Sequence, residues 1–391
     1  MPTGAAGNYS VKNIQADPLA LLRTRTSAKW REYPADVLPL WVAEMDYPLA
    51  EPIAETLMAA VRRSDTGYIA TDVRLPDAFA AFAADRWGWT IDPAQVTTTT
   101  DVSVAIVEVL RGIIAPGDGV VISPPVYPPF FDLLPEAGAT VVEVPLAHTD
   151  EGWSLDLAAL EQAFAGGAKA YLLCNPHNPV GHPHPAPELA ALASLAAKYG
   201  VTVVSDEIHG ALALPGATFT PFLSVSDEAR AVGVCVTSAS KAFNLAGLKC
   251  AIIVTASPAH AAVVAGLPRE VVVRTGLFGY LATSAAFESG GPWLDGVIGA
   301  LDESRMLLGQ LLSEHLPEVG YVPPAASFLA WLDFNALDWG EDPSVRALDR
   351  ARVALNPGPS FGVGGEGHLR LNFACSPDVL EEAVRRLASA R

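Results

Sequence analysis

The chain has 391 residues, of which 50% are hydrophobic and 17% are charged. At about 150 residues per domain, this length predicts two to three domains, and the apolar content excludes a disordered chain. Asp and Glu number 43 against 25 Lys and Arg, which gives a net charge of −18. Because an acidic surface repels phosphodiester backbones, we do not expect the protein to bind nucleic acid.

The four cysteines, Cys174, Cys235, Cys250 and Cys375, lie in or beside apolar runs, and no two have metal-finger spacing. We expect them to be buried free thiols. The N-terminus shows no cationic start followed by an apolar segment, and no apolar run reaches the roughly 20 residues of a membrane span. The sequence therefore predicts a cytoplasmic protein.

The first 284 residues alternate helical and strand patterns. Amphipathic spacing predicts helices at 49–63, 102–114 and 187–200. Short apolar runs between turn residues predict buried strands at 117–125, 168–176, 201–208, 233–240 and 248–254. Buried strands that alternate with helices indicate an α/β domain with a mostly parallel sheet.

From about residue 285 the pattern changes. A long helix is predicted at 293–316, a strand at 327–334 and a final helix at 376–390. We therefore expect a large domain at 51–284 and a smaller α+β domain at 285–391, which the N-terminal segment 1–50 joins.

Four polar segments follow predicted strands, at 123–130, 175–181, 205–210 and 237–243. Ligands of open α/β sheets bind beyond the carboxyl ends of the strands. If the strands are parallel, the four segments meet and bring Tyr127, Asn178, Asp206 and Lys241 together. A site of that composition would hold an amine beside a carboxylate.

Each of these segments also has a simpler interpretation. Lys241 could be a solvated lysine at the start of a helix, although a lysine in a dry site has a lowered pKa and can form a Schiff base. Asp206 could cap a helix, neutralise a buried cation or bind a metal, and His209 alone is weak support for a metal. The segment 175–181 is rich in turn residues and could be a plain loop.

In combination the motifs are much more specific. The order is NPxNPxG, then SDE with Asp206 28 residues after Asn178, then SxSK with Lys241 35 residues after Asp206. This order resembles the aminotransferase class I/II family of fold-type I pyridoxal 5′-phosphate (PLP) enzymes, over nearly the whole chain. WVAEMDYP at 41–48, DEIH and GVGGEGHLRLNFAC at 362–375 resemble its cystathionine β-lyase-like (C–S lyase) branch. The resemblance implies an aspartate-aminotransferase-like fold, with a large PLP-binding domain and a smaller α+β domain.

The resemblance also implies roles around the cofactor ring. Lys241 would form the Schiff base and later remove the substrate Cα proton. Asp206 would pair with the pyridinium nitrogen, and Asn178 would hydrogen-bond the phenolic oxygen. His209 stands where many relatives carry a tyrosine, and it could instead support the site without touching the cofactor. Tyr127 would stack on the ring, although an isolated tyrosine between prolines is more often a packing residue.

At the phosphate, the resemblance implies Ser238 and the backbone amides of Val102 and Ser103 at a helix N-terminus. Lys249 stands where many relatives have a phosphate-binding arginine, so the charge is kept and the planar fork is lost. Tyr68 would reach the phosphate of the other subunit, which implies a homodimer with shared active sites.

For the substrate, Arg370 matches the arginine that clamps the α-carboxylate, and Asn178 is a further substrate-binding residue. The segment that begins at Ala43 would contribute to the pocket for the distal end of the substrate. Taken alone, Arg370 would be interpreted as a surface arginine on an edge strand. Two positions depart from the family pattern, since Asp101 replaces a usual glycine and Ala211 replaces an aspartate that lyase relatives often have. Asp101 must point away from the phosphate or bind another group.

The implied reaction is β-elimination from cystathionine or another S-substituted cysteine, which yields a thiol, pyruvate and ammonia. Transamination is the second possibility, and a specialised lyase acting on a sulfur conjugate in a biosynthetic route is another. A non-catalytic regulator that reuses the fold is disfavoured by the intact set of Lys241, Asp206 and Asn178. The resemblance implies no metal.

Overall fold

The computed structural model describes residues 14–70, 74–149 and 152–391. Its centre is a seven-stranded sheet, whose strands we number in chain order: β1 (Val96–Thr99), β2 (Gly119–Ile122), β3 (Thr140–Glu143), β4 (Ala170–Cys174), β5 (Thr202–Asp206), β6 (Gly233–Thr237) and β7 (Ala251–Thr255). The spatial order is β1-β7-β6-β5-β4-β2-β3. Neighbours are parallel except where β7 pairs with β1 and β6. The predicted α/β fold with a mostly parallel sheet is confirmed.

The central strands are buried on both faces. Every residue of β4, β6 and β7 is buried. Successive residues of a strand point to opposite faces of the sheet. Leu172 and Val204 pack into the core cluster on one face, while Leu173 and Val203 pack into the cluster on the other. A strand covered on both faces is apolar at nearly every position, which is why these runs were recognisable in the sequence. The strands β1 and β3 were not predicted, because one is largely threonine and the other is a half-exposed edge strand.

Helices cover the sheet and form much of the C-terminal part. Those of at least five residues are Glu51–Arg62, Arg74–Trp87, Val102–Ile113, Phe130–Glu136, Leu157–Ala165, Ala186–Tyr199, Asp227–Val232, Pro258–Ala265, Arg269–Val273, Leu277–Ser289, Gly291–His315, Pro343–Asp349 and Pro377–Ser389. Shorter helices are Leu19–Leu22, Ala28–Arg31 and Ala239–Ala242. The predicted helix at 187–200 ends at its expected place, since Gly200 takes a left-handed φ of 67°.

A second, antiparallel sheet lies in the C-terminal part. Its strands are β8 (Gly320–Tyr321), β9 (Leu329–Asp333), β10 (Asn356–Pro357) and β11 (His368–Asn372), in the order β8-β9-β11-β10. The N-terminal Leu38–Pro39 pairs in parallel with Val353–Ala354. The division at residues 50 and 284 stays a prediction, and residue 284 lies inside the helix Leu277–Ser289.

Two expectations from composition can be compared with the structure. All four cysteines are free and buried, as predicted. Among the described residues, we find no helix with both the length and the apolar character that crossing a bilayer requires.

Candidate active site

Four neighbouring strands end at the same edge of the large sheet. The strands β6, β5, β4 and β2 are adjacent and parallel, so the polar segments that follow them meet, as the sequence predicted. A cavity of about 240 Å³ lies there. Ten of the twelve predicted site residues line it: Ala43, Val102, Ser103, Tyr127, Asn178, Asp206, His209, Ser238, Lys241 and Lys249. The other two, Arg370 and Tyr68, do not.

Lys241 lies in the short helix Ala239–Ala242 that follows β6 directly. Its side chain is half-buried, and its Nζ donates to the carbonyl oxygen of Ala43 at 3.0 Å. Burial and the positive charge of Arg370 lower the pKa of Lys241 to about 8. The amine is therefore closer to its neutral, nucleophilic form than an exposed lysine.

Asp206 ends β5 and is 5% exposed. One oxygen accepts a hydrogen bond from the backbone N–H of Ile208 at 3.1 Å, and burial raises the pKa of the carboxyl group to about 7. The adjacent Glu207 turns away, since it accepts hydrogen bonds from the backbone N–H of Phe222 at 2.7 Å and the hydroxyl of Ser205 at 2.9 Å. Of the two acids in SDE, only Asp206 therefore lines the cavity.

Arg370 lies on β11, an inner strand of the small sheet, and is 3% exposed. The interpretation of this residue alone as a surface arginine on an edge strand is wrong, because β10 and β9 flank its strand. Its Nη1 donates to Asn178 Oδ1 at 3.1 Å, and its Nη2 donates to the Trp41 carbonyl at 3.0 Å. Its guanidinium lies 5.1 Å from the centre of the Phe361 ring. Nε is buried and has no partner in the described part of the chain.

Two ring-bearing side chains line the cavity. The Nδ1 atom of His209 lies 3.0 Å from the hydroxyl of Ser327, and burial lowers the pKa of His209 to about 3, so the ring is neutral near pH 7. Tyr127 packs edge-on against Phe130, with ring centres 5.7 Å apart. Burial raises the pKa of Tyr127 to about 12, which keeps its hydroxyl protonated. Both predicted residues thus lie in the site, and their proposed contacts with a cofactor stay predictions.

Ser238, one of the predicted phosphate-binding residues, has two local hydrogen bonds. Its hydroxyl donates to the carbonyl of Cys250 at 2.6 Å and accepts from the backbone N–H of Ser240 at 3.0 Å. It therefore caps the short helix that carries Lys241. A role at the phosphate would require one of these hydrogen bonds to be shared or exchanged.

Asp101 occupies the N-terminus of the helix Val102–Ile113. Its Oδ1 accepts from the backbone N–H of Ser103 at 3.0 Å, and its Oδ2 lies 2.8 Å from Lys249 Nζ. These contacts hold the pKa of Asp101 below its usual value despite burial, so the carboxylate is ionised. Two predicted phosphate ligands, Ser103 and Lys249, are thus paired with a carboxylate of the chain itself.

Tyr68 lies away from the cavity and is 97% exposed. Its predicted contact with the phosphate of another subunit stays a prediction. Ala211 lies in the one-turn helix Gly210–Leu212 and packs against the core.

Some residues of the site were not predicted. Thr100 and Ser240 also line the cavity: Ser240 stands inside the recognised SxSK motif, and Thr100 lies just before the helix N-terminus that was predicted to bind phosphate. Asn244 was missed entirely: its side chain bonds the backbone N–H and carbonyl of Met45, both at 2.9 Å. With the Ala43 and Trp41 carbonyls, these contacts hold the segment 41–45 against Lys241 and Arg370. Backbone contacts of this kind leave no signature in a sequence.

The comparison with known proteins decides the family. The model of aminotransferase class I and II matches residues 35–387. The chain belongs to this family. A protein of Mycobacterium leprae is 44% identical over 94% of this chain and 96% of its own length. Cystathionine beta-lyase PatB of Bacillus subtilis is 37% identical over 91% of this chain and 92% of its own length.

Solved structures agree with this membership. Cystalysin from Treponema denticola, whose structure contains pyridoxal 5′-phosphate, has a TM-score of 0.90, is 28% identical and covers 97% of this chain and 98% of its own. The fold is that of the aspartate-aminotransferase-like, fold-type I PLP enzymes, and the chain falls in the cystathionine β-lyase branch of its family. Fold-type I PLP enzymes act on amino-acid substrates.

Proposed function

We propose that this protein is a PLP-dependent C–S β-lyase, which cleaves cystathionine or another S-substituted cysteine to a thiol, pyruvate and ammonia. The observation that carries the proposal is the meeting of the Lys241 amine and the buried Asp206 carboxylate in one cavity, with Arg370 beside it. The choice of β-elimination rests on the similarity to PatB.

The residues present fit PLP at the ring. Asp206 is buried beside the cavity with a single backbone hydrogen bond and no cation in contact with it among the described residues. A protonated pyridine nitrogen would supply that missing partner and keep the carboxylate ionised. Bound PLP would act as an electron sink for charge that develops on the substrate Cα. At the phosphate the fit is partial, because the Asp101 carboxylate already engages Ser103 and Lys249.

Lys241 would hold the cofactor and then serve as the general base. A pKa near 8 leaves a useful fraction of neutral amine at physiological pH, and general bases work best when their pKa lies near the operating pH. The amine would take the Cα proton of the substrate. Departure of the thiolate from Cβ completes the elimination, and hydrolysis of the unsaturated product gives pyruvate and ammonia.

Arg370 would bind the substrate carboxylate, helped by Asn178. Its guanidinium is already oriented by Asn178, by the Trp41 carbonyl and by the Phe361 ring, so little ordering is left to do on binding. This contact would keep the bond from the substrate Cα to its carboxylate in the plane of the pyridine ring of PLP. Such an orientation protects that bond, which argues against decarboxylation.

Two assays on the purified enzyme test the proposal. With cystathionine, we expect pyruvate and a free thiol to form in equal amounts over many turnovers. With an amino acid and a keto acid, we expect much slower amino transfer. If amino transfer is fast and no pyruvate appears from cystathionine or other S-substituted cysteines, the protein is an aminotransferase and the lyase proposal is wrong.

A further inference from the structure

A group of histidines lies in the loop that carries Asn178 and in the residues that follow it. We call His182, His184 and Glu188 the histidine cluster. One potential metal-binding atom of each lies within 4.8 Å of those of the other two. A fourth member of the region, His177, has its ring centre 5.6 Å from that of His184, and the rings of His182 and His184 are 5.2 Å apart. His177 and His184 are fully buried, whereas His182 is partly exposed and gives a route from solvent.

The hydrogen bonds fix where the imidazole lone pairs lie. His184 Nδ1 is 2.7 Å from a carboxylate oxygen of Glu188, so Nδ1 donates, and Nε2 is the atom that bears the lone pair in the neutral tautomer. His177 Nε2 is 3.0 Å from the carbonyl of Pro125, which can only accept, so its Nδ1 carries the lone pair. Both of these lone-pair nitrogens, together with Nε2 of His182, are buried and have no hydrogen-bond partner among the described residues.

Several unpartnered ring nitrogens beside an anchored carboxylate form an arrangement that attracts a cation. Imidazole nitrogens suit divalent transition metals such as zinc, nickel and copper. A histidine that ligates a metal usually donates its other ring N–H to a carboxylate, as His184 does to Glu188. Glu188 is itself held by the backbone N–H of Leu155 at 2.7 Å. The ligands and their support are therefore in place.

We propose that His182 and His184 bind one divalent transition-metal cation through their imidazole nitrogens, with Glu188 as the charge-compensating carboxylate. The cation would lie outside the catalytic cavity, since none of the three residues lines it. The function would be structural: the backbone N–H of His184 donates to Asn175 Oδ1 at 3.2 Å, and the loop continues through His177 to Asn178. A bound cation would hold this loop, and Asn178 with it, in position.

The test uses Zn²⁺ with the PLP-loaded enzyme, after removal of metals with a chelator and without a histidine tag. We expect calorimetric titration to give one Zn²⁺ per chain with a dissociation constant of about 10 µM or lower, and the melting temperature to rise with Zn²⁺. His182→Ala should abolish this binding at about ten times that concentration. Glu188→Gln keeps the shape and an acceptor for Leu155, and should weaken binding by about 10- to 100-fold.

His315→Ala is the matched control, because His315 is an exposed histidine at the end of the helix Gly291–His315 in the C-terminal part of the chain. It should leave the Zn²⁺ titration unchanged. The visible absorbance of the bound cofactor reports that each variant is folded. The proposal is overturned if the enzyme takes up no Zn²⁺, if His182→Ala and Glu188→Gln bind it as tightly as the parent, or if a crystal grown with Zn²⁺ holds only a water molecule at the cluster.

Discussion

At the scale of single residues, Arg370 shows how a buried charge is prepared for a ligand. Its two terminal nitrogens are bonded to Asn178 and Trp41, and Nε is left without a partner in the described structure. Burial lowers the pKa of Arg370 to about 10, so the group stays charged at neutral pH. A buried cation with spare donor capacity is costly on its own, and a substrate carboxylate would offset that cost.

We therefore expect Arg370→Lys to keep the charge and lose the planar fork. For any amino-acid substrate, kcat/KM should fall at least about tenfold, which corresponds to roughly 1.4 kcal/mol. The absorbance of the bound cofactor should not change, because Arg370 is predicted not to touch it. Steady-state kinetics and a visible spectrum measure both quantities.

A decarboxylated analogue separates a carboxylate clamp from a general structural effect. Cysteamine thioethers should be poor substrates of the parent enzyme and should lose little further activity in Arg370→Lys. If the substitution spares amino-acid turnover, or damages turnover of the analogue equally, Arg370 does not hold the carboxylate.

Lys241 supports a second prediction, because it is the amine of the site. Lys241→Ala should abolish the visible Schiff-base absorbance and the release of pyruvate, while the far-ultraviolet circular dichroism stays that of a folded chain. Many noncovalent contacts would still hold PLP, so binding should weaken without vanishing. Substantial turnover by this variant would show that Lys241 is not the base.

The lowered pKa of Lys241 gives a third prediction, on pH. Only the neutral amine attacks the aldehyde of PLP. Because burial lowers the pKa of Lys241, half of the Lys241 amines are neutral at a pH of about 8, whereas an exposed lysine reaches this point only above pH 10. The rate of PLP capture by the cofactor-free enzyme should therefore rise with pH up to about 8 and then level. A stopped-flow measurement of visible absorbance at constant PLP tests this. A rate that keeps rising beyond pH 10 would mean that the amine is not desolvated.

At the scale of elements, a carboxylate of the chain already occupies the N-terminus of the helix Val102–Ile113, where a phosphate is predicted to bind. The free amides of such a terminus attract anions, and here Asp101 already binds the backbone N–H of Ser103 and the amine of Lys249. A phosphate that arrives must compete with this carboxylate. The ion pair of Asp101 and Lys249 is partly exposed, so it contributes little to stability. We expect its competition with the phosphate to weaken the binding free energy of PLP by about 1 kcal/mol.

The fourth prediction follows from this competition. Asp101→Asn removes the charge and keeps a capping oxygen, so PLP affinity should increase by about two- to fivefold. Fluorescence titration of the cofactor-free protein with PLP measures the change. Asp101→Gly introduces the residue that the family resemblance led us to expect, and it is the matched variant without a cap. If both substitutions weaken binding, Asp101 helps to build the phosphate site instead of competing for it.

The strands of the large sheet show what sequence can and cannot predict. Strands β4 to β7 were recognised because burial on both faces makes most of their positions apolar, and the parallel order of β4, β5 and β6 brings their polar segments together. The edge strand β3 and the threonine-rich β1 carry no such pattern and were missed. The residue that Asp101 would contact was not predictable, because Lys249 lies 148 positions away and the pairing depends on tertiary structure.

The candidate site, too, was predictable from the sequence only in part. The motifs predicted which side chains line the cavity, since each follows a strand of the sheet. They could not predict that the segment 41–45 binds Lys241 and Arg370 through backbone carbonyls, which every residue has. Nor did Arg370 alone indicate burial, because an arginine is usually exposed and only its position on an inner strand removes it from solvent.

At the scale of the whole molecule, the helix Glu51–Arg62 and its flanking residues carry several exposed apolar side chains. Met58 and Val61, one helical turn apart on Glu51–Arg62, are 47% and 58% exposed, and Leu49 just before that helix is 41% exposed. Tyr68, which follows the same helix, is 97% exposed. Exposed apolar residues are typical of interaction surfaces where they form a contiguous patch. We propose that this surface faces a second copy of the chain, which would place Tyr68 near the partner's phosphate site.

The fifth prediction tests that shared site through Tyr68→Phe. The hydroxyl would donate to a charged phosphate, a hydrogen bond worth roughly 1.5–3 kcal/mol, so PLP affinity should fall by about 10- to 150-fold. Stability should hardly change, because the side chain is exposed. Tyr199→Phe is the matched control, since it removes a half-buried hydroxyl that donates to Glu161 at 3.0 Å outside the cavity, and it should leave PLP affinity unchanged. Analytical ultracentrifugation at micromolar concentration gives the oligomeric state; a monomer that retains PLP, or an unchanged affinity in Tyr68→Phe, would contradict a site shared between subunits.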